Sequence, residues 1–166
     1  MTVISRRALL AAAVATPVVI GLAGARRGDA RAATTAFEVR YTPEQWRKRL
    51  SPAAFAVLRE EGTERAFTSP LNDEHRQGRF ACAGCALPLF DSRTKFDSGT
   101  GWPSFFQPLP NAVAATRDAT FGMARTEIHC RRCGGHLGHV FDDGPKPTGL
   151  RYCMNGVALS FAPARS

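Results

Sequence analysis

Two Cys-x-x-Cys pairs, Cys82-Ala-Gly-Cys85 and Cys130-Arg-Arg-Cys133, constrain this chain more than any other feature. Two-residue spacing lets a tight turn aim both thiolates at one ion, and two such turns complete a tetrahedral zinc site. The stretch from Ala86 to His129 that separates the pairs is longer than in a compact zinc ribbon. The fold must therefore bring two distant turns together, and the ion then staples them. Each pair has two competing readings, a disulfide in an oxidising compartment or a redox-active dithiol. Two matched pairs with small or polar insertions favour metal. His136 or His139 is a conceivable substitute for one sulfur, but four thiolates already fill a closed site. A closed site has no open coordination position, so the expected zinc is structural.

The chain has 166 residues, which suits one domain, and five cysteines, too few for a disulfide scaffold. Its formal charge is +8. Half of that excess lies in the first 32 residues, where Arg6, Arg7, Arg26, Arg27 and Arg31 face Asp29 alone. The rest is mildly basic and has no Lys/Arg cluster interleaved with aromatics, so no nucleic-acid partner is expected.

Those first residues have the organisation of an export signal. Arg6-Arg7 precedes a run from Ala8 to Ala25 without charge, and Ala30-Arg31-Ala32 ends it with small residues. The adjacent arginines resemble a bacterial twin-arginine signal, which delivers folded protein to the periplasm. Residues 1–32 are thus read as a signal peptide cleaved near Ala32, with no stable membrane association afterwards. The alternative is a retained anchor, weakened by Pro17 and Gly21. Residues 33–40 read as a linker and 41–166 as the folded domain.

Thr42-Pro43-Glu44-Gln45 is a helix start with a capping box. Ser51-Pro52 repeats the signal, Phe55 and Leu58 share a helix face, and Gly62 ends the segment. Two short helices are predicted between Pro43 and Glu61. Beyond Phe67, Gly and Pro punctuate short apolar stretches at Arg79–Cys82, Leu89–Phe90, Ala124–His129, Val140–Phe141 and Val157–Phe161. Period-2 alternation with frequent turn residues predicts antiparallel strands. The fold class is mainly β.

With four cysteines on zinc, Cys153 is free. In an extended segment Arg151, Cys153 and Asn155 fall on one face, and a guanidinium there favours the thiolate, the nucleophilic form. A buried core cysteine is the competing reading. His136 and His139 lie three apart, and Gly138 between them permits a bulge that turns both toward one site. One core and one surface histidine is the plainer alternative. Gly99-Thr-Gly-Trp102-Pro-Ser-Phe105 describes a bent loop presenting an indole, a suitable wall for a methyl or thioether group, or simply a core tryptophan beside a turn.

Together, Gly-Trp-Pro-Ser-Phe (101–105), Cys-x-x-Cys-Gly-Gly-His-Leu-Gly-His-Val-Phe (130–141), Asp-Gly-Pro (143–145) and Pro-Thr-Gly-Leu-Arg-Tyr-Cys-Met-Asn (147–155) resemble the methionine-R-sulfoxide reductase family, MsrB. The resemblance runs from about Tyr41 to Phe161. It implies two antiparallel sheets with short N-terminal helices and one structural Zn2+ on Cys82, Cys85, Cys130 and Cys133. It also implies Cys153 as nucleophile, with His136 and His139 binding the sulfoxide and handling its proton and Asn155 beside the thiol. Trp102 matches the wall for the substrate methyl, and Arg151 and Asp143 match supporting residues near the substrate. Oxidised methionine in peptides or proteins is the implied substrate and a monomer the expected state.

One departure bears on the cycle. Where many family members carry a resolving cysteine in Asp-Ser-Gly-x-Gly-Trp, this chain has Thr100. The resemblance therefore implies a one-cysteine cycle, in which a thioredoxin-like protein or small thiol reduces the sulfenic acid. A zinc-stapled binding module and a disulfide oxidoreductase are the alternatives. The module leaves Cys153, His136, His139 and Trp102 without a role, and four thiolates held on zinc argue against the oxidoreductase.

Overall fold

The structure is a computed structural model that describes residues 37–118 and 125–165. The export-signal reading lies outside the described residues, as does Ala124 of the expected strand at 124–129.

Thr42 caps α1 (Pro43–Arg49): its hydroxyl accepts from the Gln45 amide, and the Gln45 side chain returns to the Thr42 amide. Ser51 caps α2 (Pro52–Glu60), its hydroxyl accepting from the Ala54 amide. Phe55 and Leu58 are both buried on its inner face. The helix closes on Glu61, one residue before the Gly62 expected to end it, and Glu61 takes the left-handed conformation (φ 56°). Gly62 follows and donates its amide to the Ala56 carbonyl.

Nine strands form two antiparallel sheets among the described residues. They are β1 (Gly78–Cys82), β2 (Pro88–Asp91), β3 (Lys95–Phe96), β4 (Ser104–Phe105), β5 (Val113–Asp118), β6 (Arg125–Cys130), β7 (His136–Phe141), β8 (Arg151–Met154) and β9 (Leu159–Pro163). The smaller sheet has the order β2-β1-β9 and the larger β3-β4-β8-β7-β6-β5. An aromatic stack joins them. Phe105 of β4 lies face to face with Phe90 of β2 at 4.3 Å and edge-on to Phe80 of β1 at 4.9 Å. All three rings are fully buried. The chain passes from the larger sheet to the smaller through one 3-10 turn, Gly156–Ala158, so β9 begins at Leu159 rather than at Val157.

Position 138 fixes how closely the two central strands meet. Gly138 has φ 153°, and any Cβ there would collide with the Cys153 carbonyl. Its absence lets β8 lie against β7 with Cys153 directly opposite His139.

Candidate active site and metal centre

Cys82 ends β1 in the smaller sheet, and Cys130 ends β6 in the larger. Each opens the same turn. The Ala86 amide donates to the Cys82 carbonyl and the Gly134 amide to the Cys130 carbonyl, both at 2.8 Å. The residue after each second cysteine, Ala86 or Gly134, takes positive φ. The four sulfurs of Cys82, Cys85, Cys130 and Cys133 lie within 4.8 Å of one another. The pairs Cys82–Cys133 and Cys85–Cys130 are 3.7 and 3.5 Å apart. A tetrahedron with Zn–S bonds of 2.3 Å has edges of about 3.8 Å, so the donor set and spacing fit one structural zinc. Arg59 of α2 donates to the Cys133 carbonyl at 3.1 Å and lies over the Trp46 ring. Val39 donates its amide to the Arg132 carbonyl. Helix, N-terminal segment and both sheets thus meet at the cluster.

Cys153 lies in β8, separated by β7 from the strand that ends at Cys130. Its register neighbours are Ser104 in β4 and His139 in β7. A cavity of about 160 Å³ is lined by Trp102, Arg125, His139, Cys153 and Asn155, with Thr63, Gly138 and Phe141 completing it. Burial pushes the Cys153 thiol up from its ordinary value; the Thr100 hydroxyl, Arg151 and Ser104 oppose that shift. Arg151 therefore acts on the thiol in the direction the sequence suggested, but burial outweighs it. The Thr100 hydroxyl stands 3.9 Å from the Cys153 sulfur. It is tied through Ser98 to Ser104, with 2.8 Å between hydroxyls at each step.

The bulge expected around Gly138 is present, and it brings the two histidine rings to 5.5 Å. Their surroundings differ. His139 borders the cavity, and its Nε2 is 2.9 Å from the Asp118 carboxylate. Burial lowers its pKa, partly offset by that hydrogen bond. His136 is buried behind it, with Nδ1 2.8 Å from Glu127. Arg151 is buried and forms a double hydrogen bond to Asp143, each at 2.8 Å. Asp143 is exposed and lies outside the cavity lining, so it reaches the site only through Arg151. Asn155 borders the cavity, yet its amide is engaged within the fold. Its Nδ2 donates to the Leu137 carbonyl and its Oδ1 accepts the Glu64 amide.

Four further residues shape the site without having announced themselves in the sequence. Asp118 joins His139 to Arg125, whose Nη2 is 2.8 Å from the same carboxylate oxygen. Glu127 orients His136. Glu64 accepts the Trp102 indole N–H on its carbonyl at 3.1 Å. Its carboxylate receives the Gly156 and Val157 amides of the turn after β8. Only the period-2 alternation around Glu127 hinted at any of them, because the strand register that brings them here is not local in sequence.

This arrangement offers a nucleophilic sulfur, an imidazole and an indole around a space for a small group, with zinc held elsewhere. Known proteins match it. The SelR domain family matches residues 50–163. A peptide methionine sulfoxide reductase MsrB of Thiobacillus denitrificans is 58% identical over 123 residues, 74% of this chain and 93% of that protein. Its namesake in Bradyrhizobium diazoefficiens is 54% identical over 136 residues, 81% of this chain and 98% of that protein. The Agrobacterium fabrum protein of the same name is 55% identical over 130 residues, 78% and 96% of the two chains. Matches of this extent, over a fold that places a free thiol opposite a histidine and four thiols together, make the chain a member of the MsrB family of peptide methionine sulfoxide reductases.

Proposed function

We propose that the protein reduces the R epimer of methionine sulfoxide in peptides and proteins, acting as a monomer through a one-cysteine cycle. The observation that supports this reading is the pairing of Cys153 with His139 across adjacent strands, in a cavity walled by Trp102. The R preference follows from family membership, since each sulfoxide epimer has its own reductase.

Burial leaves Cys153 as a thiol and His139 as a neutral imidazole near pH 7. Together they hold the one proton that the reaction needs. The substrate methyl packs on the Trp102 indole, and the sulfoxide oxygen faces His139. The thiol proton passes through the imidazole to that oxygen, and the sulfur attacks the sulfoxide sulfur. That attack forms an S–S bond; the hydroxyl then passes to Cys153 as the substrate S–O bond and the new S–S bond break. Methionine is released and Cys153 becomes a sulfenic acid, oxidised by two electrons. His136, held by Glu127, packs edge-on to His139 and keeps its ring in place. Arg151, locked by Asp143, opposes the rise in the thiol pKa.

Thr100 stands beside Cys153, and a hydroxyl cannot close a disulfide. The remaining four cysteines belong to the metal cluster. An external thiol therefore attacks the sulfenic acid, releasing water and leaving a mixed disulfide. A second thiol displaces it and restores Cys153. A thioredoxin-like protein or a small thiol supplies both. Export through the Arg6-Arg7 signal would place this repair in the bacterial periplasm.

Single-turnover reduction of the two separated epimers tests the reading. Zinc-loaded protein without reductant should yield about one methionine per chain from the R epimer only, with Cys153 as sulfenic acid and no new disulfide. No turnover of either epimer by folded protein with reduced Cys153 would overturn it. Periplasmic delivery of a reporter fused to residues 1–40, lost when Arg6 and Arg7 become Lys, tests the export route.

A further inference from the structure

A second groove shares Trp102 with the reactive cavity. It encloses about 190 Å³; Asn72, Asp73, His75, Lys95 and Asp97 give it a polar floor, and Phe67 and Phe96 stand with Trp102 as its apolar part. At its lip Phe67 combines two unfavourable features. Its side chain is 74% exposed, and its backbone takes φ 64°. A single exposed apolar residue is ordinary, but a bulky residue in the left-handed region is a true outlier. Such strain persists where the surroundings over-determine it, often at ligand clamps.

The surroundings here do so. The Phe67 amide donates to the Gly101 carbonyl at 2.8 Å, and the Asn72 side chain donates to the same oxygen at 3.0 Å. Lys95 braces the other wall by donating to the Asn72 carbonyl. Gly101 has φ 88°, and a Cβ there would lie 2.7 Å from the Phe67 ring. The ring is thus seated on the residue just before Trp102, held out toward solvent.

We propose that this groove receives the residue adjoining methionine sulfoxide in a substrate peptide, with Phe67 as the platform for an apolar or aromatic side chain. The inference rests on the reductase reading. The groove and the reactive cavity share Trp102 as a wall, so a peptide that places its sulfoxide at Cys153 carries its adjoining residue along the side of Trp102 where Phe67 stands. An extended segment of an oxidised, unfolded protein supplies such a neighbour, and burying part of a phenyl ring against it is worth about tenfold in specificity.

The test compares kcat/KM for three substrates: N-acetyl methionine-R-sulfoxide methylamide, and peptides with phenylalanine or serine beside the oxidised residue. Wild-type protein should favour the phenylalanine peptide over the serine peptide by about tenfold. Phe67→Asn keeps a residue that tolerates positive φ but removes the ring. It should abolish that preference and leave the methylamide unchanged. Equal loss on all three substrates would overturn the proposal, as would a preserved preference. A wild-type dimer that Phe67→Asn dissociates would assign the surface to a second copy of the chain instead. Failure of wild-type protein to turn over even the methylamide would reject the reductase reading itself, and this inference with it.

Discussion

Cys153 and His139 share one proton, and their environments pull its two sites apart. Burial raises the thiol and lowers the imidazole. The productive form, with one proton between them, should therefore persist from below the ordinary histidine value to above the ordinary thiol value. Single-turnover rate against pH should show that broad plateau; an acid limb at or above the ordinary value of 6.5 would contradict it. Thiol reactivity should follow the same logic. Alkylation of Cys153 by iodoacetamide should have its midpoint above the ordinary thiol value of 9.0. Arg151→Met removes a charge that opposes the rise, so it should move the midpoint further up. A downward shift would mean that Arg151 does not act on the thiol. Cys153→Ser should fold normally and lose all turnover, while His139→Ala should slow attack by about 10²–10⁴-fold. At this scale the sequence was most informative where residues are neighbours. Cys153, His136, His139 and Trp102 stand in local motifs whose chemistry can be named. Asp118, Glu127 and Glu64 stand in no motif, and only tertiary pairing gives them partners.

At the scale of elements, local signals were sufficient for the helices. The Thr42 and Ser51 caps are in place because hydroxyls satisfy amides that have no partner within the first turn. Strands β1, β2, β6 and β7 also fall on stretches that alternate or carry buried apolar residues. Strand β5 was not legible. Val113-Ala-Ala-Thr-Arg-Asp has no clear alternation, and it is largely exposed at the sheet edge. The start of β9 was misplaced because Val157 continues the alternation of Leu159 and Phe161, while Glu64 captures the Gly156 and Val157 amides and bends them into a turn. No local pattern could show a carboxylate so distant in the chain. Gly138 supports a prediction of its own. Gly138→Ala should force β7 from β8, because the added methyl meets the Cys153 carbonyl. The expected cost is about 2 kcal/mol or more in unfolding free energy, with activity lost beyond what stability explains. Denaturant melts and kcat/KM on the same preparation separate the two effects. An active, equally stable variant would show that the close approach of the strands is not needed.

At the scale of the molecule, the nucleophile and the metal occupy opposite responsibilities. The aromatic stack of Phe80, Phe90 and Phe105 joins the sheets. The four-cysteine cluster joins them a second time, through the ends of β1 and β6. Two knuckles whose ligands come from different sheets cannot be satisfied by local folding, so the binding energy of the ion becomes folding energy. Chelation should therefore destabilise the whole domain, with a fall in Tm of ten degrees or more, about what a loss of a few kcal/mol produces in a domain of this size. Cys85→Ser should do the same, and metal analysis should give one zinc per wild-type chain. The loss of activity that follows should track the unfolded fraction, because none of the four cysteines lines the cavity. A folded, zinc-free protein with normal thermal stability would refute this account. A folded, zinc-free protein that had lost turnover would instead give the metal a part in the reaction that the closed site does not provide.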